Sequence, residues 1–432
     1  MPKVKNVNFA LLGLGKLGKG FYDILQQKRE KIELETGFRL NLKKILVRNA
    51  HFKRPHYINS GLITTNLDEI LEDESIEVVI DAIGGIEPAF SIIKKLIGRK
   101  INIVSANRML LASKMHELAD LANKQKVFIL PGPSLGGGIP IIETIREYLV
   151  ANKIGSLTAV VSGTSNFILS EMTKRNVPLK EVLKNHRLQK LSESLSVIDY
   201  EGSDAAQKVS IVAAGAFGIE ANFLDIYAEG ISDISVFDIE SARQFNYEIK
   251  LLAIFREHKD TFEVHVHPTM VPADHPLTLI REEYNAFFIE SDLLGQYMVY
   301  GRGVGIKPAS SSILSNLIAL GNLLRYASSK RVSYRLSWNK KPLLPMDEVE
   351  SAYYLRFPCL DVPGVVGQIT TILGKHKINI GSAHADVEEG IGFVHILIDL
   401  ARESSIRLAL KEIEKLDVIR DKIKLIRILR EN

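Results

Sequence analysis

Val7-Asn-Phe-Ala-Leu-Leu-Gly13-Leu-Gly15-Lys-Leu-Gly18, near the N-terminus, is the most informative segment of the sequence. Residues 7–12 form an apolar run of strand length, and residues 17–25 have the pattern of a helix. Between a strand and a helix, the first glycine permits a tight turn, the second lets a pyrophosphate approach the backbone, and the third lets helix and strand pack closely. The helix N-terminus adds amide groups for the phosphates. The sequence therefore predicts a dinucleotide site whose contacts are Gly13, Gly15, Lys16, Leu17 and Gly18.

The residues that follow predict further strands and helices in alternation. Strands are expected at 42–47, 78–81, 101–104 and 127–130, with helices at 89–97 and 114–123 between them. This alternation is typical of an α/β fold with a Rossmann-type, doubly wound parallel sheet, in which the ligand lies at the carboxyl ends of the strands. Three residues at these ends are therefore expected to contact the cofactor, namely Gly84, Ser105 and Asn107.

Arg48 follows the second predicted strand, at a position where sites selective for NAD usually carry Asp or Glu. A guanidinium suits the 2′-phosphate of NADP(H), and Lys53 and Arg54 lie close behind it in the sequence. These residues predict that NADP(H) is preferred and that NAD(H) is also accepted. The alternative interpretation is an ordinary solvated basic loop.

The composition restricts the class of protein. The 432 residues exceed what one hydrophobic core usually holds, so two or three domains are expected. A charged fraction of 25% and an apolar fraction of 46% indicate a globular chain, and a net charge of +4 without a basic, aromatic-rich cluster gives no support for nucleic-acid binding. The single cysteine, Cys359, excludes an internal disulfide and a cysteine metal cage. The sequence shows no signal peptide and no membrane-length apolar run, so we expect a cytoplasmic protein without a membrane partner.

A second decisive stretch is Asp199-Tyr-Glu-Gly202-Ser-Asp204-Ala-Ala-Gln-Lys208. Gly202 and the serine after it are typical of a turn and a helix N-cap, and the alanine-rich run that follows predicts a buried helix. Asp204 and Lys208 are four residues apart and share one face of that helix. The pair has three interpretations, which are a surface salt bridge, a buried structural ion pair and a working site.

The middle of the chain predicts a mixed, largely antiparallel sheet, with strands at 157–161, 262–268, 285–290 and 296–300. The small residues after the first of these strands suggest that the backbone approaches a ligand closely, which places Gly163 and Thr164 in the substrate site. His265 and His267 face the same side of their strand. They are interpreted either as a half-exposed strand face or as metal ligands, for which no third residue is suitably spaced.

Residues 351–432 predict a small third domain in the order βαββαβ, which is ferredoxin-like. Its first helix carries Val365, Ile369 and Ile372 on one face. Residues 328–350, which include Lys-Lys-Pro and Leu-Pro, predict a linker.

With these motifs in order along essentially its whole length, the chain resembles homoserine dehydrogenase with a C-terminal ACT domain. The matching motifs are the glycine loop at 13–18, Gly84-Gly-Ile-Glu-Pro, Ser105-Ala-Asn, Gly136-Gly-Gly-Ile-Pro, Ser162-Gly-Thr-Ser-Asn-Phe-Ile-Leu, Gly202-Ser-Asp-Ala-Ala-Gln-Lys, Glu229-Gly-Ile, Ile249-Lys-Leu-Leu, Gly301-Arg-Gly-Val-Gly, and the ACT-like Asp361-Val-Pro-Gly-Val with Ile378-Asn-Ile. The resemblance implies NAD(P)H-dependent reduction of L-aspartate 4-semialdehyde to L-homoserine, on the route to threonine and methionine.

The resemblance also implies roles for individual residues. Lys208 corresponds to the catalytic lysine, which acts as acid and base, and Asp204 corresponds to its partner. Glu193 and Asp199 correspond to the carboxylates that hold the substrate. The cofactor site gains two further residues, Arg108, where the family has lysine, and Gly303.

A metal site has little support in the sequence. The family's glutamate ligand of a monovalent cation aligns with Gly132, so the carboxylate is missing. The backbone carbonyls of Leu135 and Gly137 are the remaining candidate ligands, and a bound monovalent cation is doubtful.

The resemblance divides the chain into a dinucleotide-binding domain at 1–134, a catalytic and dimerisation domain at 135–327, a linker at 328–350 and an ACT regulatory domain at 351–432. The helix at 313–326 is expected to pack back on the first domain. A homodimer or homotetramer is expected, with an amino-acid effector at the ACT domain. Whether threonine is that effector stays open, because Asp399-Leu400 replaces the usual Thr-His. The alternatives are a non-catalytic nucleotide and amino-acid sensor of the same fold, and another oxidoreductase of related architecture.

Overall fold

The computed structural model of the protein describes residues 5–49, 57–135, 137–185, 200–326, 336–388 and 391–430. The strands of these ranges are β1 Lys5–Leu12, β2 Phe38–Leu46, β3 Ile63–Thr64, β4 Val78–Asp81, β5 Asn102–Ser105, β6 Ile129–Leu130, β7 Ile154–Val160, β8 Tyr227–Ala228, β9 Tyr247–Glu257, β10 Phe262–Pro272, β11 Tyr284–Ser291, β12 Gly295–Arg302, β13 Glu350–Cys359, β14 Ile380–Glu388, β15 Ile391–Arg402 and β16 Lys424–Ile428. The helices are α1 Lys16–Thr36, α2 Asp68–Leu71, α3 Ala89–Gly98, α4 Arg108–Gln125, α5 Ile141–Glu143, α6 Gly163–Arg175, α7 Leu179–Val182, α8 Ser203–Phe217, α9 Val236–Gln244, α10 Ile306–Tyr326, α11 Val365–Lys375 and α12 Glu403–Ile413.

The chain divides into two compact units, and each is built from separate stretches of sequence. The first unit comprises Met1–Ile154, Asp204–Ile226 and Glu283–Lys341. The second comprises Gly155–Ser203, Tyr227–Glu282 and Pro342–Asn432. None of the helices in the described part of the chain is long and apolar enough to cross a membrane.

The first unit contains a parallel sheet with the strand order β3-β2-β1-β4-β5-β6. This order is that of the doubly wound dinucleotide-binding fold, which confirms the predicted Rossmann-type sheet. All four residues of β4 and of β5 are buried, as expected for parallel strands covered by helices on both faces. Strand β2 begins at Phe38, four residues before the predicted start, because Phe38 and Leu40 are buried while the polar residues between them conceal the apolar pattern.

Helix α10 packs on the core of the same unit although it lies far away in the sequence. Ile313, Leu317 and Leu320 are fully buried together with residues of β1 and α1. Gly321 has no side chain at the place where the ring of Phe38 lies, since a Cβ there would be 2.5 Å from the ring. The core around the parallel sheet is therefore completed by α10, a helix that begins roughly 300 residues after the end of β1.

The second unit contains part of the predicted mixed sheet, whereas the predicted strands at 285–290 and 296–300 are β11 and β12, an antiparallel pair of the first unit. Strands β7, β9 and β10 are antiparallel neighbours, and β10 also pairs in parallel with β8 and with β16. The prediction that His265 and His267 form a half-exposed strand face is wrong, because both side chains are buried in β10. The alternation of residues along the strand correctly predicts that His265 and His267 lie on the same side. It does not indicate whether one or both faces of the sheet are covered.

The C-terminal part of the second unit has the predicted ferredoxin-like fold. Its strands run in the order β16-β13-β15-β14 and alternate with α11 and α12 as βαββαβ. The side chains of Val365, Ile369 and Ile372 are buried in its core, as their spacing predicts. Strand β16 also pairs with β10, through Thr269–Arg427 and Met270–Ile428, so one sheet continues from the middle region into the ferredoxin-like part.

Candidate active site

The glycine-rich loop after β1 has the geometry that a dinucleotide requires. Gly13 has a φ of +93°, and a Cβ on it would lie 2.7 Å from the carbonyl oxygen of Ala82. A Cβ on Gly18 would lie 2.2 Å from the carbonyl oxygen of Gly13, so helix α1 can approach the turn only without a side chain there. In contrast, apart from Gly15 itself and its neighbours in the chain, no described atom lies within 4 Å of the place where Gly15 would carry a Cβ. The loop therefore has two glycines fixed by packing and one that faces open space, where a pyrophosphate fits.

Lys16 is the first residue of α1 and is exposed, whereas Leu17 is half-buried. A helix leaves its first N–H groups without intrahelical acceptors, so the first turn of α1 is suited to binding a phosphate. Arg48 is exposed two residues after the end of β2, at the same edge of the sheet. Lys53 and Arg54, the other predicted basic residues, lie outside the described residues.

A buried hydrogen-bond network joins the ends of β4 and β5. Ser105 Oγ donates to Asp81 Oδ2 over 2.8 Å, and the backbone N–H of Asn107 donates to Ser105 Oγ over 3.1 Å. Asn107 Nδ2 then donates to the carbonyl of Gly85 over 2.7 Å, while its Oδ1 accepts the N–H of Leu110 and so caps helix α4. The network holds the loop after β4 against the loop after β5. Gly84 is exposed in the first of these loops, and apart from its neighbours in the chain no described residue comes within 4 Å of the place of its Cβ.

Asp81 is the member of this network whose role sequence reasoning missed. It is fully buried, and burial raises the pKa of its carboxyl to about 6. The hydrogen bonds from Ile83 and Ser105 lower this pKa but do not outweigh the effect of burial. The signal in the sequence is a carboxylate at the last position of an otherwise apolar strand.

Replacing Asp81 with asparagine is expected to remove a pH dependence of stability. The Asp81 carboxyl has a higher pKa in the folded state than in the unfolded state. It therefore adds to the free energy of unfolding at acidic pH, and this contribution is lost as the pH rises through about 6. The loss is roughly 1–1.5 kcal/mol between pH 5 and pH 8, or a few degrees in Tm. We would compare thermal unfolding of wild type, Asp81→Asn and the exposed control Asp68→Asn at both pH values. An equal pH response in all three would contradict the expectation.

The predicted pair Asp204 and Lys208 is present in α8 and is buried. Lys208 Nζ donates to Asp204 Oδ2 over 2.8 Å, and the residues are 2% and 8% exposed. The interpretation as a surface salt bridge is therefore wrong. Arg108, the first residue of α4, places its Nη1 at 2.8 Å from Asp204 Oδ1. The Asp204 carboxylate is thus held between an ammonium and a guanidinium.

This arrangement determines the charge of Asp204. Burial alone would raise the pKa of the Asp204 carboxyl, but the Lys208 ammonium and the Arg108 guanidinium outweigh it and lower the pKa. Asp204 therefore stays ionised and fixes the direction of the Lys208 side chain. Since Arg108 follows the end of β5, the pair stands in the same unit as the glycine-rich loop.

The remaining predicted substrate residues belong to the second unit or are not described. Gly163 is buried as the first residue of α6, and Thr164 beside it is half-buried. Ser162 caps this helix by accepting the N–H of Ser165 over 3.3 Å. Glu193 and Asp199 lie outside the described residues.

The carboxylate ligand that the resemblance implies for a monovalent cation is missing at Gly132, and the backbone ligands Leu135 and Gly137 stay a prediction. A Cβ on Gly132 would lie 3.0 Å from Glu143 Oε1 and 3.0 Å from Asn316 Oδ1, so neighbouring side chains occupy the place of the missing carboxylate. Burial raises the pKa of Glu143, whose Oε1 accepts from Asn316 Nδ2 over 2.9 Å. Among the residues that the structure describes, no group of three or more His, Cys, Asp and Glu side chains could hold a metal ion.

The glycines near this region serve close packing. A Cβ on Gly137 would lie 2.7 Å from the carbonyl oxygen of Arg302, and a Cβ on Gly303 would lie 2.2 Å from the side chain of Asn285. Leu135 is buried in the turn before them. The predicted contact of Gly303 with the cofactor stays a prediction.

The fold and this site define an NAD(P)-dependent oxidoreductase with a C-terminal ACT domain. Family models described as "Homoserine dehydrogenase, NAD binding domain", "Homoserine dehydrogenase" and "ACT domain" match residues 13–131, 140–318 and 353–418. Homoserine dehydrogenases from Synechocystis sp. and Helicobacter pylori are 33% and 34% identical to the chain, each over 98% of its length and 99% of theirs. A crystal structure of a homoserine dehydrogenase from Thiobacillus denitrificans has a TM-score of 0.91 and 34% identity, with 98% of both chains covered.

The chain belongs to the homoserine dehydrogenase family. Its reaction is the standard one of the family, the NAD(P)H-dependent reduction of L-aspartate 4-semialdehyde to L-homoserine, and its usual role is in threonine and methionine biosynthesis. The alternative of a sensor that has lost turnover is not favoured by these matches. The ACT domain indicates an amino-acid effector site.

Proposed function

We propose that Lys208 is the residue that donates a proton to the aldehyde oxygen of L-aspartate 4-semialdehyde, and that Asp204 positions it. The observation that carries the proposal is the buried contact of 2.8 Å between the two side chains, on the unit that also holds the nucleotide loop. A bound nicotinamide cofactor supplies the hydride for the aldehyde carbon. Lys208 stabilises the charge that develops on the oxygen and gives it a proton, so the product is an alcohol.

The other residues bind and orient. Glu193 and Asp199 are proposed to pair with the α-ammonium of the substrate, since a cation of this kind requires a carboxylate partner. Gly163 and Thr164, at the N-terminus of α6, are proposed to approach the substrate with their backbone, where free amide groups suit its α-carboxylate. Arg108 keeps Asp204 ionised and is proposed to lie at the edge of the cofactor site.

The reaction is tested by initial rates of NADPH and NADH oxidation with L-aspartate 4-semialdehyde, together with a panel of other small aldehydes. Turnover that is selective for the semialdehyde is expected. Equal rates across the panel would contradict the proposed substrate site. The absence of turnover in folded protein that still binds NADPH would contradict the proposed reaction and favour the non-catalytic sensor.

For the cofactor we propose a preference for NADP(H), with NAD(H) also accepted. The support is Arg48, which is exposed beyond the end of β2, where a guanidinium can meet a 2′-phosphate. Gly13, Gly15, Lys16, Leu17 and Gly18 are proposed to hold the pyrophosphate. The proposed contacts at the other strand ends are Gly84, Ser105, Asn107 and Gly303.

Replacing Arg48 with alanine is expected to lower kcat/KM for NADPH by about tenfold, which corresponds to about 1.4 kcal/mol for one lost charged contact, and to leave NADH little changed. The measurement is kcat/KM for both cofactors in wild type, Arg48→Ala and the control Arg29→Ala, which removes an exposed arginine from the middle of α1. An equal loss with both cofactors, or a wild-type preference for NADH, would refute the assignment.

We also propose a cytoplasmic homodimer or homotetramer with the domain boundaries given above, in which the middle sheet forms the interface between copies. Light scattering on the full chain tests the subunit number, and a monomer at working concentration would contradict it.

A further inference from the structure

A buried charge cluster in the second unit is not used by the mechanism above. It is centred on Arg427, which belongs to β16 in the ACT part. Arg427 is 1% exposed. Its guanidinium donates from Nε and Nη2 to the two carboxylate oxygens of Glu403, over 3.0 and 2.6 Å. It also donates from Nη1 to Glu229 Oε2 over 2.9 Å. One guanidinium thus binds a carboxylate of its own domain and a second one just after β8.

The two carboxylates differ in their surroundings. Glu403 is fully buried, accepts a further hydrogen bond from Tyr353 over 3.0 Å and lies entirely within the ACT part. Glu229 belongs to the segment that follows β8, and 37% of its side chain is exposed. Burial alone would raise the pKa of the Glu229 carboxyl, but Arg427 outweighs it and lowers the pKa. Arg407 also contacts both carboxylates, with its Nη2 at 2.8 Å from Glu403 Oε1 and at 3.8 Å from Glu229 Oε1. The cluster therefore joins two guanidinium groups to two carboxylates, and Glu229 is the carboxylate that lies outside the ACT part.

The backbone of the Glu229 segment packs directly on the turn that precedes α8. Gly202 has a φ of +85°, and a Cβ on it would lie 2.8 Å from the carbonyl oxygen of Glu229. A Cβ on Gly230 would lie 2.3 Å from Cα of Glu201, and the N–H of Ile231 donates to the carbonyl of Tyr200 over 2.8 Å. These contacts leave no room for a side chain between the two segments.

We propose that Glu229 is a positioning residue through which the ACT domain sets the geometry of the catalytic helix. Arg427 holds the Glu229 side chain, the Glu229 backbone holds the turn at Gly202, and α8 begins at the next residue. A movement of β16 on binding of an effector therefore displaces the turn that leads into Asp204 and Lys208. The inference rests on the proposed roles of these two residues.

The test compares variants of the full chain by kcat, by KM for the semialdehyde, by the dissociation constant of NADPH and by Tm. We expect Glu229→Gln and Arg427→Met each to lower kcat about tenfold or more, because small misplacements of a catalytic group are costly, with NADPH binding unchanged. The double variant is expected to be no slower than the slower single variant, since both act through one contact.

Two controls separate positioning from stability. Glu403→Gln and Tyr353→Phe weaken the ACT side of the same cluster and leave the contact between Arg427 and Glu229 in place. They are expected to lower Tm and to keep kcat within about twofold of wild type. The inference is overturned if Glu229→Gln turns over like wild type, if the effects of Glu229→Gln and Arg427→Met multiply, or if the controls lower kcat as much.

Lys208→Ala is measured in the same series, because it tests the proposed role of Lys208 as proton donor independently of Glu229. If Lys208→Ala retains wild-type turnover, the assignment of the catalytic lysine fails, and the positioning inference fails with it. If Lys208→Ala is inactive and Glu229→Gln is normal, only the positioning inference fails.

Discussion

Lys208→Ala is expected to lower kcat by about 10²–10⁴-fold while the affinity for NADPH stays within a factor of about two, because the lysine acts on the substrate oxygen and not on the nucleotide. The folded state should survive the substitution. Asp204 keeps its contact with Arg108 at 2.8 Å, so no carboxylate is left buried without a cationic partner. The measurement is steady-state kinetics together with a fluorescence titration of NADPH.

Two further variants make the result specific. Lys208→Met fills nearly the same volume without the charge, so a comparable loss of kcat would trace the effect to the ammonium and not to a cavity in α8. Lys124→Ala removes an exposed lysine near the end of α4 and should behave as wild type. Substantial turnover in Lys208→Met would refute the assignment.

The second large effect is expected in the glycine loop, where two substitutions of the same size should act differently. Gly15→Ala places a methyl group in open space, so it should leave Tm unchanged and raise the NADPH dissociation constant by about 100-fold, or about 2.7 kcal/mol. Gly18→Ala places the methyl group 2.2 Å from the carbonyl oxygen of Gly13. It should lower the free energy of unfolding by about 1–3 kcal/mol or more through overpacking.

The comparison is read from thermal unfolding and nucleotide titration of both variants beside wild type. A loss of NADPH affinity at unchanged Tm in Gly15→Ala would assign the open space to the pyrophosphate. A Gly15→Ala protein that binds NADPH normally would contradict the predicted course of the cofactor across the loop.

The sequence predicted the parts of the fold that depend on local patterns. The strand and glycine turn at 7–18 and the βαββαβ order of the last domain both depend on periodicity and turn residues, which a single sequence contains. Helix boundaries were less accurate. Helix α4 begins at Arg108, six residues before the predicted start, because Asn107 caps it with its side chain while its own backbone N–H is bound by Ser105.

The site was predictable only where its residues are close in sequence. The spacing of Asp204 and Lys208 gave their shared helix face, whereas the contact of Arg108 with Asp204 joins positions that are nearly a hundred residues apart. No pattern of charges could have indicated that Arg427 reaches Glu229, since the two come together only after β16 pairs with β10. Tertiary contacts of this kind follow from topology and not from local propensity.

The pairing of β16 with β10 has a consequence for the synthesis of the chain. Translation proceeds from the N-terminus, so β10 and β13 leave the ribosome well before Lys424–Ile428 exists. Until those five residues emerge, each of the two earlier strands has an edge with open hydrogen-bonding groups, which are templates for aggregation. Because β16 joins the middle strands and the ferredoxin-like strands into one sheet, we expect nascent chains to be prone to aggregation until this late strand emerges.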